Sequence, residues 1–123
     1  MATLEAPATF AAVWETSVDR RADSLFLMFE GSDGLVSSWT YEQFDGLVSR
    51  VAATLVANGV EPGSPVHMAL ANCPAFVAVW LAAIRLGAWV VTVDPVGGQV
   101  ELRGHIERTR PAVGVCSSER ADV

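Results

Sequence analysis

Lysine is absent from this chain, whose eight basic residues are all arginines. Fourteen acidic residues outnumber them, so the formal net charge is −6 at pH 7. Proteins that bind nucleic acids or anionic membranes carry basic patches or stripes, and this sequence has none. We therefore expect neither nucleic acid nor a membrane surface among its partners.

Cysteine is scarce as well. Cys73 and Cys116 lie far apart and have neither CxxC spacing nor the density of a secreted disulfide scaffold. This pattern predicts free thiols in a reducing, cytoplasmic compartment. Residues 1–9 lack the basic start and the apolar centre of a signal peptide, so we expect no secretory leader.

One run is long and apolar enough to suggest a membrane span, the 19 residues 75–93. Arg85 within this run would cost about 3 kcal/mol to place in a bilayer. Gly87 also divides the run into a helix and a strand. We therefore expect no transmembrane segment, and we assign the run to the core of a globular domain.

Hydrophobic periodicity predicts helices and strands in alternation. Three of the strands are separated by helices, which implies parallel pairing through right-handed crossovers. The sequence thus predicts an α/β fold with a partly parallel sheet, flanking helices, and an N-terminal helix followed by a β-hairpin. The predicted elements are a helix over 10–21, hairpin strands over 25–30 and 35–39, a helix that follows Thr40 and ends at Asn58 and Gly59, a strand over 66–70, a helix over 74–86, a strand over 89–93, a weak helix over 99–109 interrupted by Gly104, and a strand over 113–116.

The helix ends carry their own signals. Thr40 followed by Gln43 predicts a capping box, in which each residue bonds the backbone N–H of the other. Pro74 suits the first position of a helix capped by Asn72 or Cys73. Gly87 suits the left-handed position that ends this helix. Since the helix is apolar on almost all sides, we expect it to be covered on both sides, and we expect a lone chain to self-associate in order to do so.

Residues 89–93 form an apolar run typical of a parallel strand that is buried on both faces and is not an edge strand. The run stops at Asp94 and Pro95. Because ligands of open α/β sheets lie at the carboxyl ends of the strands, we predict Asp94 on the rim of a ligand site. An Asp-Pro pair also turns a chain, and that is the alternative role for Asp94.

Other chemically capable residues are not predicted to form a site. Cys73 would lie at a helix N-terminus, but no base is placed beside it for nucleophilic catalysis. His67 and His105 have no second ligand at metal-binding spacing, so we expect no metal site and read both as packed or solvated. We assign the four tryptophans, Trp14, Trp39, Trp80 and Trp89, to packing, and the carboxylates Glu15, Asp19, Glu101 and Glu107 to solvated helix faces.

In their order along the chain, six short segments resemble the opening of an acyl-adenylate-forming synthetase. This superfamily contains acyl-CoA synthetases, adenylation domains and luciferases, and the resemblance is closest to an acyl-CoA synthetase. The resemblance extends from Phe10 to about Cys116. Its segments are residues 38–44, 58–60, 62–66, 71–76, 85–88 and 94–95.

The resemblance implies an enzyme that activates a fatty or other small carboxylic acid with ATP and Mg²⁺ to an acyl adenylate, and then transfers the acyl group to CoA or a carrier thiol. Such enzymes use a Gly/Ser/Thr-rich phosphate loop and a catalytic lysine, and this sequence has neither. We therefore expect residues 1–123 to be the N-terminal part of an AMP-binding domain, inactive alone, with no catalytic residue or cofactor of its own. Its expected partner is the remainder of the enzyme or a second copy of the chain.

The resemblance also suggests a CoA-side loop at Pro95, Val96 and Gly97. The family usually has a proline where Thr92 stands and a polar or basic residue after the Asp-Pro pair. Since Val96 is apolar, a contact with the CoA phosphates would have to use backbone N–H groups. The alternative function is a truncated, non-catalytic relative that acts as an interaction or self-association module.

Overall fold

The structure is a computed structural model, and it describes residues 9–94 and 98–117. Its helices and strands follow one another in the order that the sequence predicts. The elements are α1 (Phe10–Arg21), β1 (Leu25–Glu30), β2 (Val36–Thr40), α2 (Tyr41–Ala57), β3 (Pro65–Ala69), α3 (Pro74–Arg85), β4 (Trp89–Thr92), α4 (Gln99–Thr109) and β5 (Val113–Cys116).

The strands form two sheets. β1 and β2 pair as an antiparallel hairpin, with Leu27 opposite Trp39. The other three strands form a parallel sheet in the order β4-β3-β5, so β3 pairs with both of its neighbours. The predicted fold class, a partly parallel α/β arrangement preceded by a helix and a hairpin, is confirmed.

The prediction that β4 is an interior strand buried on both faces is wrong. Within the described part of the chain β4 pairs with β3 alone, and Trp89 at its start is 48% exposed. The physical reason is that the middle position belongs to β3, which leaves β4 at the edge of the sheet. An apolar run indicates that a strand can be buried, but it does not indicate how many strands lie beside it.

The two helical crossovers lie on opposite faces of the parallel sheet. The chain passes from β3 through α3 to β4, and then back across β3 through α4 to β5. Because these connections run in opposite directions, crossovers of the same hand put α3 and α4 on different faces. Side chains of β3 show the two faces: Val66 and Met68 lie in the core beside α3, whereas His67 between them is hydrogen-bonded to Thr109 of α4.

The core lies between α2, α3, the hairpin and one face of the parallel sheet. α3 is covered by α1, α2, β3 and β4, which confirms that it is enclosed. These neighbours within the chain cover α3, so its covering does not require a second copy, and the expected self-association stays a prediction. α2 packs against α3 and against the β1-β2 hairpin.

The predicted helix ends are present. The Thr40 and Gln43 side chains form the complete capping box, and Cys73, not Asn72, is the N-cap of α3. Gly87 has φ +73°, and after it Ala88 N–H donates to the carbonyl of Ala83. α4 is continuous, so the predicted interruption at Gly104 is wrong; one glycine costs a helix only about 1 kcal/mol.

Candidate functional site

The candidate site is a crevice at the carboxyl ends of the parallel strands, and its walls come from β3, β5, the residues after β4, and α4. In the order β4-β3-β5 the strand order reverses at β3, so the switch point of this sheet lies between β3 and β5. Open α/β sheets bind their ligands at the carboxyl ends of their strands, which makes this crevice the candidate site.

Asp94 lies at this crevice. Val93 N–H donates to the carbonyl of Met68 at 3.1 Å, which extends the β3–β4 ladder one residue beyond β4. Asp94 follows directly, is exposed, and lines a cavity of about 260 Å³ between the sheet and α4. The structure thus places Asp94 on the rim that the sequence predicts, whereas a role in binding or in turn formation stays a prediction.

The cavity beside Asp94 is walled mainly by apolar side chains, including Val93, Leu102 and Ile106. Its polar lining comes from Asp94, His67 and Cys116. Pockets of this composition hold small, mostly apolar groups and orient them through few polar contacts. Triphosphates need clustered backbone donors and cationic side chains, and the described lining of this cavity contains no lysine or arginine.

His67 is fixed in this wall. It is 4% exposed on the middle strand, and its Nε2 atom shares a hydrogen bond with the Thr109 hydroxyl at the end of α4. This contact joins α4 to the sheet and agrees with a packed histidine. The His105 side chain lies outside the described residues.

The proposed CoA-side loop, Pro95, Val96 and Gly97, lies outside the described residues and remains a prediction. Within the described residues, 9–94 and 98–117, the structure holds no group of three or more histidine, cysteine or acidic side chains that could bind a metal ion. Cys73 is half-buried, Cys116 is exposed, and both are free thiols. Among the described helices, none is both long and apolar enough to cross a bilayer.

Three of the four tryptophans pack as predicted. Trp14 contacts Phe26 and Phe44 edge to face, and Trp39 contacts Phe44 in the same way. Trp80 lies against Phe10. The exception is Trp89, which is half exposed at the edge of the sheet although its indole donates to the Gly63 carbonyl at 2.9 Å.

A polar cluster that the sequence analysis missed links the first three helices. The Asp45 carboxylate on α2 accepts hydrogen bonds from the Trp14 indole at 2.9 Å and from the Arg85 guanidinium at the end of α3. Arg85 also donates to the Ser49 hydroxyl at 2.9 Å. The role of this cluster is structural, because its groups lie between the helices and not at the strand ends. The sequence did contain one indication of this cluster, because Arg85 is a charged residue in an apolar helix and such a residue needs a partner.

Comparison with known proteins identifies the family. Residues 14–123 match the family model described as AMP-binding enzyme. The chain belongs to the AMP-binding enzyme family. The relation to acyl-CoA synthetases and other AMP-forming acid ligases that the motifs predict is thereby confirmed.

Individual AMP-binding enzymes agree with this assignment. The crotonobetaine/carnitine–CoA ligase of Citrobacter koseri is 26% identical over 107 residues, which are 87% of this chain and 21% of that protein. A fatty acyl-adenylate ligase from Legionella pneumophila, solved with acyl adenylate and pyrophosphate, superimposes with a TM-score of 0.82 at 20% identity over 93% of this chain and 20% of its own. A benzoate–CoA ligase from Burkholderia xenovorans superimposes with a TM-score of 0.77 at 18% sequence identity. The superposition covers 92% of this chain and 22% of the benzoate–CoA ligase chain.

These coverages mean that the chain spans about a fifth of the length of the AMP-binding enzymes it matches. Its fold is therefore part of a larger adenylation domain. The described residues contain the strand-end crevice of that fold, and the sequence contains no lysine for acyl-adenylate chemistry.

Proposed function

We propose that this chain is the N-terminal part of an ATP-dependent, AMP-forming carboxylic acid–CoA ligase, acting on a fatty or other small acid. The observation that carries the proposal is the family match over residues 14–123, together with curated relatives that are CoA ligases. Two widely separated free cysteines are in keeping with a cytoplasmic enzyme.

In this proposal the chain acts as a scaffold. ATP, Mg²⁺ and CoA serve the complete ligase, in which they activate the carboxylate and accept the acyl group. The residues of this chain do not fit a triphosphate, because they offer no lysine and no Gly/Ser/Thr-rich loop ending in one. What the chain provides is a rigid strand-end rim, on which Asp94 and the loop of Pro95, Val96 and Gly97 would border the acid or CoA. Its partner is then the remainder of the enzyme.

The proposal is tested with the product of the complete reading frame that contains this segment. The enzyme is incubated with ATP, Mg²⁺, CoA and a panel of carboxylic acids, and AMP release is measured. We expect AMP with at least one acid, and none when the acid or CoA is omitted. If the complete product releases no AMP with any acid, the ligase assignment is rejected and the non-catalytic module becomes the better description.

Asp94 gives a sharper prediction for the same enzyme. If Asp94 only turns the chain after β4, Asp94→Ala should lower kcat less than about tenfold, whereas loss of a general acid or base lowers it by about 10²–10⁴. Asp94→Asn is the matched control, since its amide keeps the turn-forming oxygen without the charge. A stably folded Asp94→Ala enzyme with a collapsed kcat would show that Asp94 takes part in the chemistry.

A further inference from the structure

One buried hydrogen bond joins the middle strand of the parallel sheet to the end of the helix that crosses it. β3 lies between β4 and β5, and α4 connects those two strands across it. His67 on β3 is 4% exposed and lies between the apolar residues Val66 and Met68. Burying a polar ring costs free energy unless the ring is hydrogen-bonded, and its Nε2 atom shares a hydrogen bond with the Thr109 hydroxyl. The buried histidine therefore fixes the position of its partner, as an apolar side chain would not.

Apolar packing between α4 and the sheet is interrupted next to this bond by the cavity beside Asp94. Small residues, Ala69 of β3 and Gly114 of β5, form part of its lining on the side of the sheet, and a Cβ built on Gly114 would meet no described atom within 4 Å. Leu102 and Ile106 line the cavity from α4. Close apolar packing fixes a helix by the shape of its contacts, and a cavity provides no such contacts. The distance between α4 and the sheet must therefore be set elsewhere.

The C-terminal end of α4 is where the helix is attached to β3. Arg110 ends the helix in the left-handed conformation, with φ +47°, and its N–H donates to the Ile106 carbonyl at 2.8 Å. Ala112 N–H then donates to the Pro65 carbonyl at 2.9 Å, just before β5 pairs with β3. This backbone bond and the side-chain bond to Thr109 hold the same end of the helix, and both reach it from β3.

We propose that His67 is a positioning residue of the strand-end site: by bonding to Thr109 it sets the distance of α4 from the sheet, and with it the width of the crevice beside Asp94. His67 acts through Leu102 and Ile106, the α4 side chains that line the crevice. The proposal rests on the proposed function, in which this rim borders the acid or CoA.

The chemistry of the lining suits an uncharged, mainly apolar chain. The described lining contains no lysine or arginine to bind a carboxylate or a phosphate, and most of its side chains are apolar. Such a chain occurs in the acyl part of a carboxylic acid and in the pantetheine arm of CoA. The experiment therefore measures the two substrates separately.

Thr109→Val in the product of the complete reading frame tests this role, because valine keeps the branched shape of threonine and lacks the hydroxyl. Thr109→Ser is the matched control, since serine retains the hydroxyl and should behave like the original enzyme. Thr109→Ala removes the same hydroxyl with a strong helix former, and it replaces the valine variant if that variant does not fold.

Amide hydrogen exchange measures the attachment of α4 without any need for activity. Loss of one hydrogen bond should accelerate exchange of the α4 amides about fivefold, whereas the amides of α3, on the other face of the sheet, should exchange at their original rate. Unchanged exchange in α4, or an equal acceleration in α3, would show that the bond does not position the helix.

The kinetics of AMP release measure the consequence for the site. A displaced α4 weakens binding in the crevice and leaves the chemical step intact, so Thr109→Val should raise the KM of the acid or of CoA about threefold or more. The values of kcat and of the KM for ATP should stay within about twofold. A rise for the acid alone would identify the acyl chain as the occupant, and a rise for CoA alone would identify the pantetheine arm.

The outcomes separate this proposal from the proposed function. A merely structural defect would lower kcat through loss of active enzyme and leave every KM unchanged, and that result would overturn the role of His67 even with faster exchange in α4. A complete product that is inactive toward every acid would instead reject the proposed function itself, and the role of His67 in that site with it. An active enzyme with unchanged exchange or unchanged KM values rejects the role of His67 alone.

Discussion

Replacing Phe44 with alanine is expected to lower the free energy of unfolding by about 4 kcal/mol. Phe44 on α2 is fully buried, and its ring contacts those of Trp14, Phe26 and Trp39. These partners come from α1 and from both strands of the hairpin. The cavity left by alanine would therefore open at the point where three elements meet, and the surrounding rings are too large to close it.

Val56→Ala is the matched control on the same helix. Val56 is 54% exposed, so its truncation should change the free energy of unfolding by less than about 0.5 kcal/mol. Urea denaturation followed by tryptophan fluorescence measures both variants. Equal losses for Phe44→Ala and Val56→Ala would mean that the hairpin and α1 are not packed on α2 as described.

Replacing Gly87 with valine should cost about 2–3 kcal/mol, because a β-branched residue is strained at positive φ. Gly87 has φ +73° and follows the last turn of α3. Its N–H donates to the Ile84 carbonyl, and the next N–H, of Ala88, donates to the Ala83 carbonyl. A glycine in the left-handed conformation makes both bonds possible and directs the chain into β4.

The relative stability costs of different residues at position 87 distinguish backbone strain from crowding. A Cβ at position 87 would meet Pro62 at 3.5 Å, an ordinary contact distance, so strain should dominate. Asparagine tolerates the left-handed region, so we expect Gly87→Asn to cost less than Gly87→Ala, and Gly87→Ala less than Gly87→Val. Gly46→Ala within α2 is the control and should stabilise the chain by about 0.5–1 kcal/mol. Equal costs for asparagine and valine would contradict the strain argument.

Features with local causes were predictable from the sequence. The capping box at Thr40 and Gln43, the proline that opens α3, and the glycine that ends it each depend on residues within one helical turn. The parallel pairing followed from the alternation of helices and strands. The position of the crevice was predictable too, because the strand ends of such a sheet are where a crevice forms, whereas its role as a ligand site stays a prediction.

Features that depend on distant partners were not predictable. The edge position of β4 is decided by which strand β3 accepts on each side, and the residues of β4 do not encode that choice. The covering of α3 depends on α1 and α2 folding back over it. The link from Arg85 to Asp45 joins positions 40 residues apart, and nothing local to either residue indicates the other.

The most direct test of the proposed division of labour is ATP–pyrophosphate exchange, measured side by side on this chain and on the product of the complete reading frame. The chain has no lysine and no phosphate-binding loop, so it should show no acid-dependent exchange. The complete product should exchange pyrophosphate into ATP in the presence of a suitable carboxylic acid. Exchange by this chain alone, or its absence from the complete product with every acid, would contradict the proposal that these residues are the scaffold of an acid–CoA ligase.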